Sequence, residues 1–311
     1  RFLVFNYDPG DEIYIFGFSR GAFTARSLAG LIRNCGIVEQ RQARRIGEAI
    51  ALYRERGPES HPDADASCSF RARTSPATYL NERDFAWRRN ADPAFREEDC
   101  TRLRLRYLGV WDTVGALGVP SHLVFARIFN GRHTFHDANL SSTVESARHA
   151  LALDEFRRSF EPALWGNLDI LNEAARHAGA GEAKSGEAKY RQHWFPGDHS
   201  SVGGGGIEEK LSSGAFGWIA QGAQDAGLAL DPEALARVKA QADHRGPLRS
   251  SPSKVFSMET MMRKRPRAGP RLVEDVADPA RDRWREPAEA LPENAPYRPE
   301  SLARIARTMP G

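Results

Sequence analysis

The sequence contains few cysteines and no long apolar run. Its three cysteines, Cys35, Cys68 and Cys100, lie far apart, with no CxxC pair and no histidine at metal-ligand spacing. This pattern excludes a disulfide framework and argues against a zinc site. No apolar run approaches the roughly 18 residues that a transmembrane helix requires, so no membrane span is predicted.

An excess of charge of one sign is also absent. The 44 Lys and Arg residues nearly balance the 41 Asp and Glu residues, which leaves a formal net charge of +3. Nucleic acid is therefore not predicted as a partner. The basic run Arg263–Arg267 is interpreted as a solvated loop, with contact to lipid headgroups or nucleic acid as the alternative. The glycine run Gly203–Gly206 lacks the Gly-Lys-Ser/Thr ending of a phosphate loop, so no nucleotide cofactor is expected.

Apolar patterns typical of buried strands alternate with helical patterns along the chain. Strands are predicted over 12–18, 103–111 and 190–195, and helices over 20–34, 40–56, 143–153, 168–178 and 214–226. This alternation predicts the α/β class, with a mostly parallel sheet and helices on both faces. The chain starts with Arg1 rather than Met, so we expect it to begin inside a fold.

The motif Gly17-Phe18-Ser19-Arg20-Gly21 joins the first predicted strand to the first predicted helix. A G-x-S-x-G sequence in that position is typical of a sharp turn that exposes a nucleophilic serine at the carboxyl edge of the sheet. We expect side chains at both glycines to collide with neighbouring backbone. The backbone N–H of Arg20, at the helix N-terminus, is the predicted donor to an oxyanion.

A serine nucleophile needs a base and an acid that orients the base. Asp112 ends the strand 103–111, and His199 follows the strand 190–195, which gives the chain order Ser, acid, His. Asp198 and Asp154 are rival candidates for the acid. Other interpretations also remain open, since Asp112 could cap the segment that follows it and His199 could be an ordinary loop histidine.

Four segments together resemble a known family. They are Gly10–Arg26 with the sequence GDEIYIFGFSRGAFTAR, Val110–Gly115 with VWDTVG, His149–Glu155 with HALALDE, and Trp194–His199 with WFPGDH. In this order they resemble the bacterial and fungal α/β-hydrolases related to type VI secretion phospholipase effectors, and the similarity extends over nearly the whole chain.

The resemblance implies ester hydrolysis, most simply of lipids, by a triad of Ser19, Asp112 and His199, with Gly17 and Gly21 in the nucleophile turn. We expect this reaction to need no metal and no cofactor. A lipid or other ester is the expected substrate, and a membrane surface, a secretion spike and an immunity protein are candidate partners. For an effector, the expected location before secretion is the cytoplasm.

Two departures from the family pattern support an alternative function. The family's opening strand, which ends in Asp-Gly-Thr, is absent, so we expect the sheet to lack a strand and the site to lack a second oxyanion donor. The family pattern is H-x-D-V-G-G, and this sequence has Ser201 at the position of the Asp. Both departures favour a catalytically silent, hydrolase-like binding module as the alternative to a serine esterase.

The resemblance and the change to a Pro- and Arg-rich composition from Asp243 onward together give the expected domain organisation. Residues 1–242 are expected to form an N-terminally truncated α/β-hydrolase catalytic domain with insertions near 57–101 and 166–190. Residues 243–311 are expected to form a Pro/Arg-rich extension that packs on the same domain.

Overall fold

A computed structural model describes most of the chain. The described residues are 1–55, 57–115, 139–179, 188–206, 208–249 and 265–310. Arg263 and Lys264 of the basic run, and residues 180–187 of the insertion expected near 166–190, lie outside these ranges.

Four parallel strands form the central sheet. The strands of the described residues are β1 (Glu12–Phe18), β2 (Thr78–Tyr79), β3 (Thr101–Arg102), β4 (Arg104–Trp111), β5 (Ala147–Ala152) and β6 (Tyr190–Phe195). The central sheet has the order β1, β4, β5, β6, with every neighbouring pair parallel, whereas β2 and β3 form a separate parallel pair. Parallel pairing brings the carboxyl ends of β1, β4, β5 and β6 to one edge.

Helices cover both faces of this sheet, which confirms the predicted α/β class. The helices of the described residues are α1 (Phe2–Asn6), α2 (Arg20–Cys35), α3 (Ile46–Arg54), α4 (Asp65–Thr74), α5 (Glu82–Ala91), α6 (Leu168–His177), α7 (His199–Gly203), α8 (Lys210–Asp225), α9 (Pro232–Gln241) and α10 (Asp278–Arg285). On one face, Ala25 and Ile32 of α2 pack with Leu105 of β4. On the other, Ile219 of α8 packs with Tyr107 of β4.

The helix predicted over 143–153 is wrong, because Ala147–Ala152 form strand β5. All six residues of β5 are buried, and the strand lies between β4 and β6. A strand buried on both faces shows no alternation of polar and apolar residues. Its three alanines also have the highest helix propensity, so local sequence favours a helix where the sheet requires a strand.

The segment 265–310 packs against β6 and the end of β5. The backbone N–H of Ala277 donates to Trp194 O at 2.9 Å, and Val276 and Leu302 are buried with Trp194 and Leu151 in one apolar cluster. The solvated-loop interpretation of the basic run is wrong for Arg267, whose side chain is 2% exposed. The proposed domain boundary at residue 242 stays a prediction.

No helix in the described part of the chain is long and apolar enough to cross a membrane. All three cysteines are buried and unpaired. Burial raises the pKa of the Cys35 thiol to about 12, which keeps it protonated and chemically quiet.

Candidate active site

Ser19 lies on the sharp turn between β1 and α2. Its φ of 60° is unusual for a residue other than glycine, and such strain is typical of nucleophile turns. Its backbone N–H donates to Trp111 O at 3.0 Å, which ties the turn to the end of β4. The serine hydroxyl is thereby held at the carboxyl edge of the sheet, as the motif predicts.

The two glycines of the turn are not equivalent. A Cβ at Gly17 would lie 2.5 Å from Gly21 O and 2.8 Å from the Cα of Ala22, so a side chain has no room there. A Cβ at Gly21 would meet no atom within 4 Å. The expectation of a collision at both positions is therefore wrong for Gly21. At Gly17 it is correct, and the atom that a side chain there would meet is the backbone carbonyl oxygen of Gly21.

His199 begins the short helix α7 and lies between Ser19 and Asp112. Its Nε2 is 2.8 Å from Ser19 Oγ, and its Nδ1 is 2.6 Å from Asp112 Oδ2. The rings of Phe18 and Phe160 pack on the imidazole at centroid distances of 4.6 and 4.8 Å. Because a carboxylate can only accept, we assign the proton to Nδ1, which leaves Nε2 free to accept the serine hydroxyl proton.

Asp112 accepts four hydrogen bonds although its side chain is fully buried. Oδ2 accepts from His199 Nδ1 and from Arg267 Nη2 at 2.8 Å; Oδ1 accepts from Arg267 Nη1 at 2.6 Å and from Ala152 N–H at 3.0 Å. Burial alone would raise the pKa of Asp112, but Arg267 and His199 hold it well below its usual range. The group is therefore a carboxylate throughout the neutral range.

The two rival acids serve other groups. Asp198 caps α7 and accepts from both the N–H and the hydroxyl of Ser201, each at 2.9 Å. Asp154 accepts from Gly197 N–H at 2.7 Å and from the Tyr297 hydroxyl at 2.8 Å, and burial raises its pKa to about 6. The His199 ring nitrogens are instead partnered by Ser19 and Asp112.

Ser201, which stands where the family has an Asp, faces away from the histidine ring. Its hydroxyl donates to Asp198 Oδ1 and lies 3.0 Å from Leu248 O. An aspartate here would face the Asp198 carboxylate, so serine suits a site that already contains that acid. The ring nitrogens of His199 contact Asp112 and Ser19 rather than Ser201.

Arg20 is the first residue of α2, so its backbone N–H has no acceptor within the helix. Its predicted role as oxyanion donor stays a prediction.

An apolar cavity of about 290 Å³ opens beside the site. It is lined in part by Phe18, Trp111, Val202, Phe216 and Val238. Trp111 and Phe216 stack at a centroid distance of 6.2 Å. A second cavity of about 290 Å³ includes Arg26 and Trp165 in its lining. Neither lining contains a predicted site residue, but the first cavity adjoins the site through Phe18, whose ring packs on His199.

Sequence reasoning missed two buried residues behind the site. His149 Nε2 accepts from Thr113 N–H at 3.2 Å, and burial lowers its pKa to about 3, so it is a neutral support for the residue after Asp112. The sequence does not indicate that Arg267 is buried, because nothing distinguishes it from the other basic residues of the run 263–267.

Comparison with known proteins gives a family match. The family model described as "T6SS, Phospholipase effector Tle1-like, catalytic domain" matches residues 1–222. The uncharacterized protein YEL023C of Saccharomyces cerevisiae is 29% identical over 160 residues, which is 51% of this chain and 19% of that protein. The chain thus matches about a fifth of that relative's length.

A crystal structure of an uncharacterized protein from Pseudomonas aeruginosa aligns with a TM-score of 0.35 and 16% identity. The alignment covers 75% of this chain and 27% of that one. At this TM-score the likeness carries no argument about the site.

Proposed function

This chain belongs to the Tle1-like catalytic domain family of type VI secretion phospholipase effectors, and we propose that it is a serine ester hydrolase acting on lipids. The observation that carries the proposal is the pair of hydrogen bonds that links Ser19 Oγ to the His199 imidazole and the imidazole to Asp112. A hydroxyl, an imidazole and a carboxylate in this order form the machinery of acyl transfer.

In the proposed reaction, Ser19 Oγ attacks the ester carbonyl carbon while His199 Nε2 accepts the hydroxyl proton. The N–H of Arg20 donates to the oxyanion of the tetrahedral intermediate. The carbon–oxygen bond to the alcohol then breaks, His199 gives its proton to the leaving alkoxide, and an acyl-serine remains. Water attacks that ester as His199 accepts its proton. The bond between the acyl carbon and Ser19 Oγ then breaks, His199 returns the proton to Oγ, and the carboxylic acid leaves.

Asp112 holds the imidazole in the Nδ1–H tautomer and stabilises the imidazolium that forms at each proton transfer. The cavity lined by Phe18, Trp111 and Phe216 supports an apolar acyl chain as part of the substrate, since Phe18 directly precedes Ser19. Family membership supports a phospholipid as the substrate and an immunity protein or a secretion spike as the protein partner.

The first test is labelling of the 311-residue chain with a fluorophosphonate probe, with the adduct located by mass spectrometry. Such a probe reacts with a serine whose base and oxyanion donor are assembled. We expect the adduct on Ser19, its absence in Ser19→Ala and His199→Ala, and its persistence in the control Ser201→Ala, which removes another serine from the histidine loop.

Fatty acid release from phosphatidylcholine vesicles by the same preparations tests the substrate. Release by the parent chain and by Ser201→Ala, but not by Ser19→Ala, supports a phospholipase. A folded chain that forms no adduct and releases no fatty acid contradicts the proposal and favours the silent binding module.

A further inference from the structure

The segment that begins at residue 265 lies beyond residues 1–222, which the family model matches, yet it contacts the candidate triad directly. Arg267 Nη1 donates to Asp112 Oδ1 at 2.6 Å and Nη2 donates to Asp112 Oδ2 at 2.8 Å. The two side chains are 2% and 0% exposed. A buried, bidentate contact of this kind holds the plane of a carboxylate and also stabilises its negative charge.

The guanidinium is itself fixed by backbone carbonyls. Nη1 also donates to Ala152 O at 2.9 Å, and Nη2 donates to Phe160 O at 2.6 Å. Ala152 ends β5 and its N–H also donates to Asp112, so Arg267 and the strand end hold the same carboxylate. The result is one defined orientation of Asp112, with Oδ2 directed at His199 Nδ1.

The chain around Arg267 is anchored on both sides. Before it, the N–H of Arg265 donates to Phe156 O at 3.1 Å. After it, Gly269 has a φ of +68°, and a Cβ there would lie 1.8 Å from Ser301 O. Further along, Ala277 pairs with Trp194 of β6. The position of the guanidinium is thus set by the packing of the whole segment 265–310.

We propose that Arg267 is a positioning residue for the esterase reaction, which holds the Asp112 carboxylate in the plane and rotamer that orient His199. The inference rests on the proposed function, and it makes the segment 265–310 part of the catalytic unit rather than an appendage.

The charges that face Asp112 determine the expected effect on pH dependence. Arg267 and His199 contact the carboxylate, and burial keeps His149, which lies behind it, neutral by lowering its pKa to about 3. Burial opposes ionisation of Glu155, but Arg157 holds the pKa of Glu155 below its usual value, so this acid is already paired. Loss of Arg267 removes the cation that does most to hold the pKa of the buried Asp112 carboxylate down. Proton uptake by Asp112, which would release the imidazole, then extends to higher pH.

The test compares Arg267→Met with Arg71→Met, using hydrolysis of a p-nitrophenyl ester by the full chain. Arg71 is a matched control, because it also forms a buried pair with a carboxylate, that of Asp84, with side chains 2% and 1% exposed. We expect kcat/KM of Arg267→Met to fall about tenfold further at about pH 6 than at about pH 9. We expect Arg71→Met to lose the same factor at both pH values, since its loss is structural.

If kcat/KM of Arg267→Met falls by the same factor at both pH values, as expected for Arg71→Met, the inference is overturned. If Arg267→Met does not fold, Arg267→Lys decides, because it keeps the charge and loses the two-pronged contact. We then expect kcat to fall roughly tenfold or more with KM unchanged, and an unchanged kcat overturns the inference. Failure of the proposed function is distinct, since in that case the parent chain itself neither hydrolyses the ester nor takes up the fluorophosphonate.

Discussion

Asp112 combines full burial with a negative charge, an arrangement that costs several kcal/mol unless the charge is well paired. Its donors come from three separate parts of the chain: the end of β5, the start of α7 and the C-terminal segment with Arg267. The hydrogen bonds that offset the free-energy cost of burying the carboxylate also direct it at His199. Stability and orientation are therefore coupled at this one residue.

Asp112→Asn should impair both properties. The amide N–H₂ of asparagine would face either the His199 Nδ1–H or the Arg267 guanidinium, so one donor meets another and the arginine charge is left unpaired. We expect kcat/KM to fall by about 10⁴-fold and the free energy of unfolding to fall by about 3–5 kcal/mol. Esterase kinetics and urea denaturation measure the two effects.

Asp198→Asn is the matched control, since Asp198 is also buried and precedes His199 directly. Its Oδ1 accepts from Ser201, and an asparagine oxygen can accept those bonds as well. We expect activity within a few-fold of the parent chain. Equal losses in the two variants would contradict the assignment of Asp112 as the orienting acid.

At the scale of elements, the turn between β1 and α2 depends on close approach of its own backbone. Gly17→Ala places a methyl group 2.5 Å from Gly21 O, which the turn can relieve only by moving the strand end or the helix start. We expect a loss of about 1–3 kcal/mol in the free energy of unfolding, measured by urea denaturation.

Gly21→Ala, four residues away in the first turn of α2, is the control. Its methyl group meets nothing within 4 Å, and alanine favours a helix over glycine by up to about 1 kcal/mol. We expect unchanged or slightly higher stability. A larger loss in Gly21→Ala than in Gly17→Ala would show that the turn is held in another way.

The elements that sequence predicts well are those with a local signal. The strand β1, the helix α2 and the strands β4 and β6 are confirmed within one or two residues, because β-branched and aromatic runs and a terminal glycine mark them. The helix predicted over 40–56 is divided into a 3₁₀ segment, Gln40–Arg45, and α3. The strand β5 was missed because only its two neighbouring strands specify it.

The candidate site follows the same rule. Ser19, Asp112 and His199 were identified from a motif, two strand ends and a chain order. The structure places His199 within hydrogen-bond distance of both Ser19 and Asp112. Arg267 was not identified, because its only distinguishing feature is its contact with a residue 155 positions earlier. Local sequence carries no trace of such a contact.

At the scale of the whole molecule, the end of β5 is connected to the C-terminal segment by a second buried carboxylate. Asp154 Oδ2 accepts from the Tyr297 hydroxyl at 2.8 Å and from Gly197 N–H at 2.7 Å. Burial raises the pKa of Asp154 to about 6, so the native chain keeps a proton that the unfolded chain has released. The stability of the molecule should therefore depend on pH through this group.

The stabilising effect of protonated Asp154 is complete below the ordinary carboxyl range and is lost as the pH rises towards about 6. In that window we expect the free energy of unfolding of the parent chain to decrease relative to Asp154→Asn by up to about 1.4 kcal/mol per pH unit. Above about pH 6 the difference should be constant. Urea denaturation of both chains across this range measures it, and a difference independent of pH would refute the raised pKa.

The contacts of the site also span most of the sequence. Ser19 and His199 lie 180 positions apart, His199 and Asp112 lie 87 apart, and Asp112 and Arg267 lie 155 apart. Each contact closes a long loop, and such contacts form late in folding because the chain must first lose the entropy of those loops. During synthesis, Ser19 is made well before Arg267. If the proposed esterase reaction needs all of these contacts, hydrolysis begins only after the long loops have closed, and turnover then reports completely folded molecules.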